Sequence, residues 1–175
     1  MAVYSVTHPN EIILKRVNGV FSKILVIGCG GCANESLAYT NNWAICDHSQ
    51  DQIGLATARE LERIEALLID NGFEVRCTLV PLGGNALCIR YPGDPFDYNL
   101  HASFFPDVIL ALCCPAGTFG LMDDLRVAGL KVPVYQITRQ VGQLSYFYNV
   151  KEDKRWIDYS KSKVIKIPTS KIDSA

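Results

Sequence analysis

Three things are scarce in this sequence. Charge of either sign is not in excess: 17 Lys and Arg stand against 18 Asp and Glu, a formal net charge of −1, which removes the basic footprint of a nucleic-acid binder. Long apolar runs are missing, and none approaches the roughly 20 residues needed to cross a bilayer. The opening residues, Met1 to Glu11, lack the basic start and apolar core of a secretory signal. These absences set the expectation of a cytoplasmic protein with no membrane span and no nucleic-acid partner. Histidine is limited to His8, His48 and His101, so imidazole-based chemistry has few candidates.

What is present is an ordinary globular composition with an unusual thiol content. The 175 residues are 49% apolar and 20% charged, enough for one domain to bury a core without disulfide staples. Seven cysteines, an odd number with no export signal, read as reduced thiols, some of them ligands. Cys77, in the alternating stretch Glu74 to Val80, and Cys46, in Trp43 to Asp47, read as small packing residues. Cys29, Cys32, Cys88, Cys113 and Cys114 remain.

The chain is expected to divide into a lead-in over 1–22, an α/β body over 23–150 and an extension over 151–175. In the lead-in, Pro9 starts a short helix carrying Ile12, Ile13, Leu14 and Val17. Ile24 to Ile27 is an apolar strand that breaks into Gly28-Cys-Gly-Gly-Cys-Ala33. Asn34 to Tyr39 follows as a short helix ended by Asn41-Asn42. Asp51 to Gly72 is the clearest amphipathic helix, with Ile53, Ala56, Leu61, Ile64, Leu67 and Leu68 on one face. Phe73 to Val80 reads as a strand, Pro81 to Asn85 as a loop leading to Ala86 to Arg90, and Tyr91 to Phe96 as irregular chain. Asp107 to Cys114 is a second continuous apolar run, as in a strand buried on both faces. A helix with Phe119, Leu121, Met122, Leu125 and Val127 closes near Gly129, and Val132 to Ile137 supplies another strand. Strands alternating with helices predict a three-layer α/β fold with a mainly parallel, Rossmann-like sheet.

Sites in such sheets lie beyond the carboxyl ends of the strands, where Cys29 and Cys114 each follow an apolar run. If those strands are neighbours, their turns face each other, and Cys88 completes the set. A four-thiolate site of Cys29, Cys32, Cys88 and Cys114 suits an iron–sulfur cluster or tetrahedral zinc, and the residues do not choose between them.

Gly28-Cys-Gly-Gly-Cys-Ala33, the helix from Gly54 through Leu61 to Asn71-Gly-Phe-Glu-Val75, and Asp107 to Gly117 followed by Val132-Pro-Val-Tyr135 together resemble the C-terminal domain of bacterial and archaeal methylenetetrahydrofolate reductases. In anaerobes that domain also occurs as a separate small subunit. The resemblance spans roughly Ile24 to Gly142. It implies that Cys29, Cys32, Cys88 and Cys114 ligate a metal or cluster. At 175 residues the chain has no room for the roughly 250-residue barrel that would carry flavin and folate chemistry. The resemblance therefore implies an accessory, non-flavin component of a one-carbon oxidoreductase, with a flavin-containing reductase or another one-carbon enzyme as partner, relaying electrons or stabilising the complex. Asn34 to Gln52 departs from the family pattern as an insertion, and no cysteine follows Cys114.

A second class fits the same turn. Gly28-x-Gly30-x-x-Ala33 is also a dinucleotide fingerprint, with the pyrophosphate of NAD or ATP on the N–H groups of Gly30 to Cys32 and Asp47 on a ribose hydroxyl. A third is covalent chemistry by an activated Cys29 or Cys32, with His48 as base or extra ligand. Arg139 is expected on the cysteine side of the sheet. Tyr146, Phe147, Tyr148, Trp156 and Tyr159 read either as a partner surface or as a cover over the core.

Overall fold

The computed structural model describes residues 1–47, 52–80, 87–88 and 104–167. In chain order the elements are β1 (Ala2–Thr7), α1 (Asn10–Val17), β2 (Lys23–Cys29), α2 (Cys32–Asn41), β3 (Cys46–Asp47), β4 (Gln52–Ile53), α3 (Leu55–Asp70) and β5 (Glu74–Val80). After them come β6 (Val108–Leu112), α4 (Pro115–Val127), β7 (Val134–Gln136), β8 (Thr138–Ser145), β9 (Tyr148–Lys151), β10 (Lys154–Ile157) and β11 (Lys163–Lys166). The loop expected at Pro81 to Asn85, the irregular stretch Tyr91 to Phe96, His48 and His101 lie outside the described residues.

The centre is a four-stranded parallel sheet in the order β5-β2-β6-β7. Strand β2 aligns Lys23 with Glu74 of β5 on one side and Ile24 with Val108 of β6 on the other. Its apolar run has no solvent side. Ile24 and Val26 pack in a cluster with Leu61, Ile64 and Leu68 of α3, while Leu25 and Ile27 pack with Leu121 and Leu125 of α4. Covering both faces is what allows continuous apolar strands in place of alternating ones. The starts of β2 and β6 are pinned by Asp107, whose carboxylate accepts the backbone N–H groups of Ser22 and Lys23, both at 2.9 Å. Those bonds hold its carboxyl below the usual range.

The helices end where the sequence supplies a stop. Pro9 precedes the first turn of α1, which buries Ile13 and Val17. Asn42 takes the left-handed conformation at the end of α2, with φ 54°, a geometry asparagine tolerates. The salt bridge from Glu60 to Arg63, at 2.8 Å, and the bond from Arg63 Nη1 to Asn10 Oδ1, at 2.7 Å, tie α3 to the start of α1.

The sequence pattern predicts a mainly parallel sheet, and here the structure differs. The parallel sheet is accompanied by two antiparallel ones, β1-β8-β11 and β4-β3-β10-β9. Residues read as a lead-in and a C-terminal extension supply β1, β10 and β11. The pattern fails there because these strands are short and half-exposed, with polar residues between the apolar ones, and β1 gains its burial only by lying against α2. Strand β8 sits between β1 and β11, with Tyr4 opposite Gly142 and Lys166 opposite the same glycine on the other edge. A side chain at Gly142 would press into the carbonyl of Ile165. Gly142→Ala is therefore expected to lower unfolding free energy by about 1–3 kcal/mol while sparing the parallel sheet. Denaturant unfolding measures the loss; an unchanged midpoint would show that β11 does not dock on β8 as described.

Candidate functional site

The site grows from one register. Gly28 pairs with Leu112 across β2 and β6, so both strands run out together and the chain leaves them at Cys29 and Cys113. In this sheet β5 lies on one side of β2 while β6 and then β7 lie on the other. The direction of winding reverses between β2 and β6, and in open α/β sheets the crevice at such a reversal is where ligands bind.

Five cysteines gather at this edge. Cys29 ends β2, Cys32 is the first residue of α2, Cys113 follows β6, and Cys114 is the N-cap of α4. Cys88 lies close enough to Cys29, Cys113 and Cys114 to affect their charge. Cys29, Cys113 and Cys114 are buried, Cys32 is half-buried and Cys88 is exposed; all are free thiols. Of the predicted residues, Cys29, Cys32 and Cys114 lie at or just beyond the ends of β2 and β6 beside Cys113, and Cys88 is within electrostatic reach of Cys29 and Cys114.

Hydrogen bonding differentiates the thiols. The thiols of Cys32 and Cys114 act on each other across the two turns, raising the one and lowering the other. The Cys114 thiol, together with burial, raises Cys32 far above an ordinary thiol. The Cys32 thiol, helped by the Gly117 N–H in the first turn of α4, draws Cys114 below its ordinary value against the effect of burial. Burial raises Cys29, opposed by the N–H groups of Gly31 and Leu87. Burial likewise pushes Cys113 up to about 12, opposed by the Thr118 hydroxyl 3.3 Å from its sulfur. Backbone N–H groups aimed at sulfur favour negative charge there.

The turn is held from behind by buried polar residues. Asn34, fully buried, donates to the Ile45 carbonyl at 3.1 Å and accepts the Thr57 N–H at 3.1 Å. Thr57 donates its hydroxyl to the Cys29 carbonyl at 3.0 Å. On the other turn, Thr138 donates to the Cys113 carbonyl, and Gln136 bridges Thr118 and Thr138. None of these side chains carries a sequence signature, because their partners are distant in the chain.

The donor chemistry suits a thiolate-held group, since sulfur is the dominant ligand type and N–H bonds to sulfur accompany such centres. Among the described residues, however, no three His, Cys, Asp or Glu side chains stand together as a ready-made metal-binding group. The thiols are gathered without being closed on one point.

The other candidates are placed as follows. The Gly30 N–H is taken by the Val80 carbonyl at 2.8 Å, and the Gly31 N–H faces the Cys29 sulfur, so two of the donors expected for a pyrophosphate are engaged internally. A Cβ on Gly28 would come within 2.6 Å of Thr57 and 2.8 Å of Leu61, which makes this glycine a requirement of α3 packing. Asp47 lies on β3, in an antiparallel sheet beside β10, with its carboxylate 4.0 Å from Lys154 Nζ. Arg139, expected beside the cysteines, lies on β8 opposite Val6. Cys77 points back to α3 and packs at the edge of the core, its thiol pushed up to about 12 by burial, and Cys46 is buried in β3. Tyr159 stacks on Tyr39 at 5.0 Å, and Tyr146 meets Tyr148 at 5.1 Å.

Glu35 is the residue the sequence does not announce. It sits one helical turn after Cys32, is only 4% exposed, and leaves Oε2 buried with no hydrogen-bond partner among the described residues. Its other oxygen accepts the Tyr146 hydroxyl at 3.3 Å. The i, i+3 spacing from Cys32 places both on one side of α2, and this is the only signal that sequence alone holds. No protein-family model, curated protein or solved structure matches the chain.

Burial pushes the Glu35 carboxyl up from 4.5 to about 7. Between those values the folded protein keeps a proton that the unfolded chain gives up. Stability therefore falls as pH rises from 4.5 to 7 and is level beyond. Glu35→Gln keeps the shape without the charge. It is expected to flatten that slope and to exceed the parent above pH 7 by up to about 3 kcal/mol. Urea unfolding across pH measures this; an identical slope in the variant would contradict the burial assigned to Glu35.

Proposed function

We propose that this chain is a thiolate-ligated accessory domain, in which Cys29, Cys32, Cys88 and Cys114 hold an iron–sulfur cluster or a zinc ion at the carboxyl edge of a Rossmann-like sheet. The observation that carries this reading is that the two cysteine turns leave β2 and β6 level with each other at the reversal of winding between those strands. A cluster in this position supplies single-electron transfer, and zinc supplies a closed structural centre or a Lewis acid.

The chain's own part is to gather and charge the ligands. Binding replaces the protons of the ligand thiols, the N–H groups of Gly31, Leu87 and Gly117 offset negative charge on sulfur, and Leu25, Ile27, Ile109 and Leu121 keep the floor of the site dry. The exposed Cys88 leaves one side open to solvent or to a partner. On α4, Phe119 is 71% and Met122 48% exposed, and exposed aromatic and methionine side chains near a site favour protein contact. With the resemblance to the small-subunit form of the methylenetetrahydrofolate reductase C-terminal domain, this supports a cytoplasmic non-flavin component that pairs with a flavin-containing reductase or another enzyme of one-carbon redox metabolism.

Protein purified without oxygen is expected to contain either iron with acid-labile sulfide, about four of each for a cubane, or about one zinc. Cys29→Ala and Cys114→Ala are each expected to lose that content. Elemental analysis decides: full retention in both variants, or no metal in the parent, would sink the proposal.

A further inference from the structure

A cavity of about 380 Å³ is lined by Asn42, Asn149, Lys151 and Trp156. Two parts of the chain build it. In the hairpin of β9 and β10, Trp156 stands opposite Asn149 and Lys154 opposite Lys151, so these four side chains belong to one face of the sheet. The hairpin turns through Glu152 and Asp153, whose φ angles of 53° and 57° are those of a tight turn that matches strand twist. Asn42 comes from the end of α2, where it takes the left-handed conformation. Two bonds fasten that end to the hairpin side: the Ile45 N–H donates to the Arg155 carbonyl at 2.7 Å, and the Tyr159 hydroxyl donates to the Ala38 carbonyl at 3.2 Å.

The groups that line the cavity are largely uncommitted. Among the described residues, the Asn42 and Asn149 side chains make no hydrogen bond, and the buried Nε1 of Trp156 finds no acceptor. Buried donors are rarely left in that state. Lys151 has one ionic neighbour, Glu152 at 3.8 Å, with the two side chains 75% and 80% exposed. So exposed a pair holds its ammonium weakly, and no carboxylate is among the described residues that line the cavity. We infer that this cavity binds an acidic sugar, a ring-sized polyol that carries one carboxylate or phosphate. A volume near the lower end of small-molecule sites, which run from roughly 300 to 1,000 Å³, admits a single ring. The carboxamides of Asn42 and Asn149 both donate and accept, as hydroxyl groups require. Lys151 brings a charged donor to the anionic group, and the Trp156 indole offers a flat apolar wall with a polar edge to the carbon side of the ring. No cysteine is among the described lining residues, so occupancy here is independent of the metal reading.

The test is a magnetic-resonance titration of the full chain, labelled with nitrogen-15 and followed through the indole N–H signals of its two tryptophans. Trp156→Phe assigns them by deleting one. Glucuronate and glucose-6-phosphate are the probes, with glucose, inorganic phosphate and sodium chloride at matched ionic strength as controls. The Trp156 signal is expected to move saturably with one or both acidic sugars, and further than that of Trp43; the tighter of the two acids identifies the source of the charge. Lys151→Ala, at an exposed position, is expected to keep the circular dichroism of the parent and to bind the acidic sugars about tenfold more weakly. Asn149→Ala, also exposed, is expected to weaken them as well. A Trp156 signal that stays still with both acidic sugars, or moves as far with inorganic phosphate or sodium chloride, would overturn the inference. So would glucose binding as tightly as the acids, or undiminished binding by Lys151→Ala. Elemental analysis of untreated protein reads the metal content alone, so the two proposals can fail separately.

Discussion

Everything at this site depends on the parallel pairing of β2 with β6 and on the two strands ending in step. Because Gly28 faces Leu112, the next residue of each strand is a cysteine at the same height. The winding reverses between them, and in open α/β sheets such a reversal leaves a crevice above the strand ends. A slip of the pairing would carry Cys29 away from Cys113 and Cys32 away from Cys114. The pinning of both strand starts by Asp107 and the apolar packing on both faces guard against that slip at the far end of the sheet.

Placing thiols in such a position has physical consequences. Burial alone opposes thiolate formation, and Cys29 and Cys113 follow that rule. Cys114 departs from it because a helix N-terminus and the Cys32 thiol both act on its sulfur. The edge therefore holds one sulfur inclined to carry charge, a second thiol raised by it, and three further thiols within electrostatic reach. Glu35 adds a buried carboxyl a turn away on the same helix as Cys32, which accepts the hydroxyl of Tyr146 just past the end of β8. The strands outside the parallel core also reach the site, because Thr138 of β8 donates to the Cys113 carbonyl and Ser36 of α2 is bonded to Val3 and Ser5 of β1.

Much of the core was legible because its signals are local. The apolar runs Ile24 to Ile27 and Val108 to Leu112, the periodicity of Leu61, Ile64 and Leu68, and the caps at Pro9 and Asn42 each announce their element within a few residues. The cysteine turns were legible for the same reason, whereas the adjacency of their strands was only a condition, which the β2–β6 pairing meets. The antiparallel strands were not. Ala2–Thr7 and Thr138–Ser145 are stabilised by each other across the length of the chain, and Gly142 is required only because Ile165 lies above it. Asp47 was a candidate for a ribose hydroxyl, but it pairs with Gln52 and Lys154 in another sheet. The supporting polar residues Asn34, Thr57 and Gln136 were silent because only the folded chain brings their partners to them.

The central claim is that the cysteines beyond β2 and β6 act together on one soft ligand. X-ray absorption on protein isolated without oxygen addresses it most directly, because the first coordination shell reports ligand identity. The account predicts a shell made only of sulfur around iron or zinc, which loses occupancy when Cys114 is replaced. A shell of nitrogen and oxygen, or a protein with no metal to absorb, would contradict it.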